Sequence, residues 1–129
     1  MDKKTYLVTG ASKGIGRAIA RSLANDGYQV ILLARASDEL DTACMEIQSD
    51  SPSSFSIECD LSQPESIDLA IESLKHLDAI DGIVHNAGTI TPIQSMFDAD
   101  DAMWERNIYV NVTGVQRLTR GLYPEDESF

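Results

Sequence analysis

The strongest constraint on the fold lies in the first turn of the chain. A β-rich run, Thr5-Tyr6-Leu7-Val8-Thr9, leads directly into Gly10-Ala11-Ser12-Lys13-Gly14-Ile15-Gly16, where helical periodicity begins. In such a strand–turn–helix each glycine has a task. One permits the tight turn, one lets the backbone approach a phosphate, and one lets helix and strand pack closely. The helix that follows opens with free N–H groups and a partial positive charge, both suited to an anion. The turn therefore predicts a βαβ unit that cradles the pyrophosphate of a dinucleotide on Gly10, Ser12, Lys13, Gly14, Ile15 and Gly16.

Downstream, strand and helix patterns alternate, which predicts an α/β fold: a Rossmann-type doubly wound parallel sheet. Ile15, Ala18, Ile19 and Leu23 predict the buried face of the first helix, and Gly27 its stop. The almost wholly apolar Tyr28–Ala34 reads as a central parallel strand. Ser37-Asp38-Glu39 opens a second helix with Leu40, Ala43, Cys44 and Ile47 on one face. Residues 50–54 form a turn-rich break, and Phe55–Cys59 alternates as a third strand. Ser62-Gln63-Pro64-Glu65 reads as a capping box for a helix bearing Ile67, Ala70, Ile71, Leu74 and Leu77. Ile80–Val84 is the fourth strand. A helical stretch starts at Asp98 and runs to Arg106. A further helix, Val110 to Leu122, carries Val112, Val115, Leu118 and Leu122. The pattern predicts one domain over residues 1–124, whose sheet ends at the fourth strand and the helix after it, and an acidic tail over 125–129.

The net charge of −11 argues against nucleic acid and against anionic membrane as partners, since both select basic surfaces. The two cysteines, Cys44 and Cys59, sit in no CxxC pair and have no histidine at metal spacing, so no metal site is expected. No apolar run has the length of a signal peptide or a membrane span. A cytoplasmic, reducing setting is the expectation.

The glycine spacing, Thr9-Gly10-x-x-x-Gly14-x-Gly16, resembles that of the short-chain dehydrogenase/reductase family. Other stretches carry the same resemblance. Asp60-Leu61 follows the third strand, where the family places an acid at the adenine ring. Asn86-Ala87-Gly88 ends the fourth strand and matches the family's NNAG, with His85 in place of the first Asn. Asn111, within Val110-Asn111-Val112-Thr113-Gly114, matches the helical active-site Asn, and Trp104 upstream also fits. Asn86-Ala87-Gly88-Thr89 with Pro92-Ile93 is more narrowly similar to sepiapterin- and benzil-reductase-like members, which reduce dicarbonyl-type substrates.

Cofactor choice in such folds is set just after the second strand. An acid there binds the ribose 2′-hydroxyl of NAD(H), whereas an arginine accommodates the 2′-phosphate of NADP(H). This chain has Ala34-Arg35 and no acid, with Lys13 able to reach the same phosphate, which predicts NADP(H) over NAD(H). Thr9 is expected to bond the backbone of the fourth strand. His85 is read as structural, and His76 as a helix-end group.

The resemblance implies hydride transfer to or from a small carbonyl or alcohol substrate. In the family a Tyr moves the proton, and a Lys four residues later lowers the pKa of that phenol, ordinarily near ~10. A Ser holds the substrate oxygen. Here Tyr6, Tyr28, Tyr109 and Tyr123 are followed four residues on by Gly10, Leu32, Thr113 and Glu127. Of the family's catalytic positions only Asn111 carries over. The resemblance thus implies the cofactor-binding half of such an enzyme, a truncated chain or fragment without turnover of its own. An uncovered sheet edge, and a last helix that in the family builds a dimer interface, predict a homo-oligomer or association with a full-length relative.

Overall fold

A computed structural model describes residues 3–88 and 100–123. Four strands and their crossovers come in the order β1 (Thr5–Thr9), α1 (Gly14–Asn25), β2 (Gln29–Ala34), α2 (Asp38–Asp50), β3 (Phe55–Glu58), α3 (Pro64–Leu74) and β4 (Gly82–Val84). The last helical run joins α4 (Asp101–Ile108), a π-helical segment (Tyr109–Thr113) and α5 (Gly114–Leu122). All strand pairs are parallel and the spatial order is β3-β2-β1-β4. The chain therefore builds outward from β1 to β3, then crosses back to lay β4 on the other side of β1. That reversal opens a crevice at the carboxyl ends of β1 and β4, the place where doubly wound sheets take ligands.

Both faces of the sheet are covered, as the apolar strands require. Side chains alternate along each strand. Val8, Val30, Leu32 and Ala34 point to the side of α1 and α2, where Ala20, Ala24, Leu40 and Ile47 are buried. Leu7, Ile31 and Leu33 point the other way, toward Ile67, Ala70 and Leu74 of α3 and Leu118 of α5. A bidentate bridge from Arg117 to Asp68, at 2.9 and 2.7 Å, ties α5 to α3 at the surface.

The faces expected of α2 and α3 are the ones buried, but α1 differs. Its buried residues are Gly16, Ala20 and Ala24, with Ile19 and Leu23 only partly covered, while Ile15 is 73% exposed. Small residues at four-residue spacing let the helix axis approach the sheet, and this close packing displaces the larger Ile15 outward. Gly27, at φ 91°, ends the helix as expected. The break at residues 50–54 is ordered: Ser51 Oγ donates to the Tyr28 carbonyl and Ser54 Oγ accepts from the Val30 amide, so two buried hydroxyls tie the loop to the start of β2.

The capping box expected at Ser62 is not formed. The N-cap of α3 is Gln63, with no side-chain bond to the helix, and Pro64 is its first residue. The Ser62 hydroxyl instead donates to Asp60 Oδ1 at 2.6 Å, a charged acceptor that outcompetes a backbone amide for it. The two helices expected around Arg106 and Val110 form one continuous run. Its π-helical segment bonds i to i+5 and so shifts the register, which leaves Val112, assigned to the buried face by spacing, 59% exposed. The segment 89–99, with Thr89, Pro92, Ile93 and the Asp98 start of the helix, and the acidic tail 125–129 lie outside the described residues.

Candidate functional site: a cleft at the strand crossover

Thr9 fastens the crevice at its base. Its hydroxyl donates to the Val84 carbonyl at 3.4 Å and accepts from the amides of Asn86 and Ala87 at 3.1 and 3.0 Å. One side chain thus holds the end of β4 against the end of β1. The Asn86 side-chain amide then donates to the Gly10 carbonyl at 3.2 Å and fixes the glycine turn itself. Gly10 and Gly14 both hold positive φ, 64° and 60°, which L-residues with side chains rarely adopt. Gly16 is constrained by space: a Cβ there would overlap the Gly10 carbonyl oxygen and come within 2.5 Å of the Asn86 amide nitrogen.

Above these contacts lies a cleft of about 630 Å³. Gly10, Ser12 and Lys13 form its floor, Leu33 to Ser37 and Glu39 the β2 side, Cys59, Asp60 and Leu61 the β3 side, and Asn86, Ala87 and Gly88 the β4 side, with Arg106 and Val110 from the last helical run. The cleft therefore gathers Gly10, Ser12, Lys13, Arg35, Asp60, Leu61, Asn86, Ala87 and Gly88, all singled out from sequence. Gly14, Ile15 and Gly16 lie beside it as the first turn of α1 rather than in its lining. The N-cap of that helix, Lys13, makes no side-chain bond to it, so the cap itself leaves the first N–H groups open to a ligand. Asn111 also lies outside the lining, next to Val110, and its Oδ1 would be 3.2 Å from a Cβ placed on Gly88. Gly88 is thus the point where the end of β4 meets the π-helical segment.

Asp60 is built into its loop. Oδ1 accepts both the amide and the hydroxyl of Ser62, and the Asp60 amide donates to Ser66 Oγ at 2.8 Å. Burial pushes its carboxyl pKa up, but the Ser62 bonds and the positive charges of Arg106 and Arg35 outweigh that and hold it below the usual range. Burial pushes the Cys59 thiol up, which keeps it protonated. His85 points away from the cleft: its Nε2 lies 3.0 Å from Thr119 Oγ1 on α5, and burial lowers its pKa. It joins β4 to α5, in line with a structural role. His76 Nδ1 lies 2.8 Å from the Ser73 carbonyl at the end of α3, and no metal-binding cluster occurs among the described residues.

The electrostatics of the cleft run against those of the chain. Lys13, Arg35 and Arg106 all line the cleft and enter no salt bridge among the described residues. Three cations that face one cleft with two carboxylates, Asp60 and Glu39, fit an anionic ligand. Sequence reasoning missed Ser37, Glu39, Arg106 and Val110. Ser37 had a readable signal, since it follows Arg35 closely and caps α2 through the Leu40 amide. Arg106 had none, because only the fold carries it to Asp60.

The sequence matches the short chain dehydrogenase family over residues 4–128. Dehydrogenase/reductase SDR family member 4 of Mus musculus is 31% identical over 98% of this chain and 46% of its own length. The human mitochondrial SDR family member 2 is 32% identical over 97% and 45%. L-sorbose reductase from Gluconobacter frateurii, complexed with NADPH and L-sorbose, superposes with a TM-score of 0.87 at 32% identity, over 96% of this chain and 48% of that one. A metagenomic short-chain oxidoreductase in complex with NADP gives 0.86 at 34% identity, over 94% and 55%. The chain thus spans about half the length of the relatives it matches. Glycine turn, strand order and crossover cleft, together with this match along nearly the whole sequence, place the chain in the short chain dehydrogenase family, of which it carries the Rossmann-type portion.

Proposed function

We propose that this chain is the NADP(H)-binding portion of an oxidoreductase acting on a carbonyl or alcohol substrate, and that it does not turn over by itself. The observation that carries the cofactor choice is Arg35. It lines the cleft directly after β2, the ribose position, and the residues around it there, Ala34 and Ala36, leave no acid to take a 2′-hydroxyl. Gly10, Ser12 and Lys13 with the first turn of α1 would hold the pyrophosphate, and Arg35, with Lys13 in reach, the 2′-phosphate. Asp60 and Leu61 would meet the adenine, and Asn86, Ala87 and Gly88 the nicotinamide side. Such a cofactor supplies a hydride to a carbonyl carbon or takes one from an alcohol. Asn111 beside Gly88 would order water for proton relay, but no Tyr in the sequence has a Lys four residues later to drive it.

Fluorescence titration with NADPH and NADH tests the reading. Arg35→Asp should weaken NADPH binding far more than NADH binding, and equal losses would exclude the assignment. Highly purified protein should not oxidise NADPH with a panel of diketones and aldehydes. Two free, buried cysteines agree with a reducing cytoplasmic setting, and no helix among the described residues is long and apolar enough to cross a membrane.

A second reading, a non-catalytic partner of a full-length relative or of a second copy, draws support from the exposed stripe Trp104, Ile108 and Val112 on the last helical run. Size-exclusion chromatography with and without NADPH separates this reading from that of a solitary chain.

A further inference from the structure

The fold engages every hydrogen-bonding group of Asp60 but one. Its amide donates to Ser66 Oγ at 2.8 Å, and its carbonyl accepts from the Gln63 amide at 3.0 Å. Oδ1 accepts the amide and the hydroxyl of Ser62 at 2.9 and 2.6 Å. Among the described residues no donor reaches Oδ2, on a side chain that lines the cleft.

Ser62 is what makes the two carboxylate oxygens unequal. Its hydroxyl stands one position before Gln63, the N-cap of α3, yet its proton goes to Asp60. Two donors from one residue converge on Oδ1, which occupies that oxygen and fixes the plane of the carboxylate. Burial raises the Asp60 pKa, but the Ser62 bonds and the charges of Arg106 and Arg35 hold it below the usual range, so the group is ionised near neutral pH. An ionised carboxylate accepts hydrogen bonds and donates none. Oδ2 thus offers a ligand one acceptor in a set direction. An amino group satisfies it, whereas a carbonyl there would leave two acceptors facing each other. On the reading above that sets adenine against Asp60 and Leu61, we propose that Ser62 is a positioning residue for base selection: by holding Oδ1 it leaves Oδ2 to select a purine with an exocyclic amino group over one with a carbonyl at that position.

The test titrates NADPH and its hypoxanthine analogue, in which a carbonyl replaces the adenine amine, into the 129-residue chain and its variants. The wild type should bind NADPH about tenfold more tightly than the analogue. Ser62→Ala keeps the backbone bond to Oδ1 and loses the hydroxyl. It should raise the Kd for NADPH about fivefold, with the analogue within about twofold, and Ser62→Thr should restore the difference. A merely structural role would weaken both ligands alike. Asp60→Asn gives the sharper expectation. The Ser62 donors select the amide oxygen, so the amide nitrogen takes the place of Oδ2 and the preference should turn toward the analogue. Combined with Ser62→Ala, that inverted preference should shrink. Wild-type discrimination in Ser62→Ala, equal loss of both ligands there, or an Asp60→Asn variant that still prefers NADPH overturns the proposal while adenine at Asp60 stands. If the wild type binds both ligands equally, the placement of adenine fails and the proposal with it. If it binds neither, the NADP(H) reading itself fails.

Discussion

The side-chain amide of Asn86 reaches 3.2 Å from the end of β4 to the carbonyl of Gly10, and Gly16 is what leaves it room. A methyl group at Gly16 would strike both partners of that bond, one of them rigid backbone. Gly16→Ala should therefore cost about 1–3 kcal/mol of stability, as overpacking does. Asn86→Ala should cost about 1 kcal/mol for a lost, half-buried hydrogen bond. The double variant should lose less than the sum, since removal of the amide relieves part of the clash. Urea unfolding of the three variants measures all of this, and strict additivity would show that the two sites do not share a contact.

His85 predicts a pH dependence of stability. Burial lowers its pKa below the ordinary 6.5, so the unfolded chain takes up a proton before the folded one does. The contribution is fully present above 6.5 and is lost as pH falls from there through the folded value. His85→Asn, the residue expected from the family pattern, should flatten this part of the stability profile between about pH 7 and 5. Unfolding at a series of pH values gives the slope, and an unchanged slope would assign the dependence to other groups.

Leu118 tests how far the last helix belongs to the core. It is fully buried against β-sheet residues and α3, on a helix that Arg117 also ties to Asp68 at the surface. Leu118→Ala should cost about 2–5 kcal/mol, the range for a buried leucine that leaves a cavity. Arg117→Ala should cost well under half of that, since an exposed pair is screened by solvent. Thermal melts of the two variants would give the ranking.

Trp104, Ile108 and Val112 recur at four-residue spacing and remain 60%, 45% and 59% exposed. If this stripe seats a second copy, Trp104→Ser with Val112→Ser should shift the elution of the chain to the monomer position without loss of helicity. A wild type that already elutes as a monomer would dispose of self-association through this face.

Much of this was written in local sequence, because the signals were local. Thr5–Thr9 and the glycines after it specify strand, turn and helix within a few residues, and the almost wholly apolar Tyr28–Ala34 run reads as a strand buried on both faces. Asp60 and Asn86 could be placed because each directly follows a strand. Other features depend on competition or on distance. Ser62 had a helix cap available, and the charge of Asp60 drew its hydroxyl away. Val112 kept helical spacing, but one wider turn, which has no residue signature, rotated it outward. Ile15 looked like a core residue until Ala20 and Ala24 showed that the helix seats by closeness rather than by bulk. Arg106 is separated from Arg35 by 70 intervening residues, and only the return of the last helix sets both in the lining of one cleft with Asp60.

The walls of the cleft come from five separate stretches, between Gly10 and Val110. A ligand seated among them would act as a reversible cross-link across most of the polypeptide, because none of the five can leave without release of the others. Occupancy then becomes a part of folding: at a hundredfold excess over Kd, a ligand that binds only the folded chain adds about 2.7 kcal/mol to stability. If a dinucleotide is that ligand, thermal melts of the chain should rise with its concentration, and the same contacts that form the cleft would then be read out as stability.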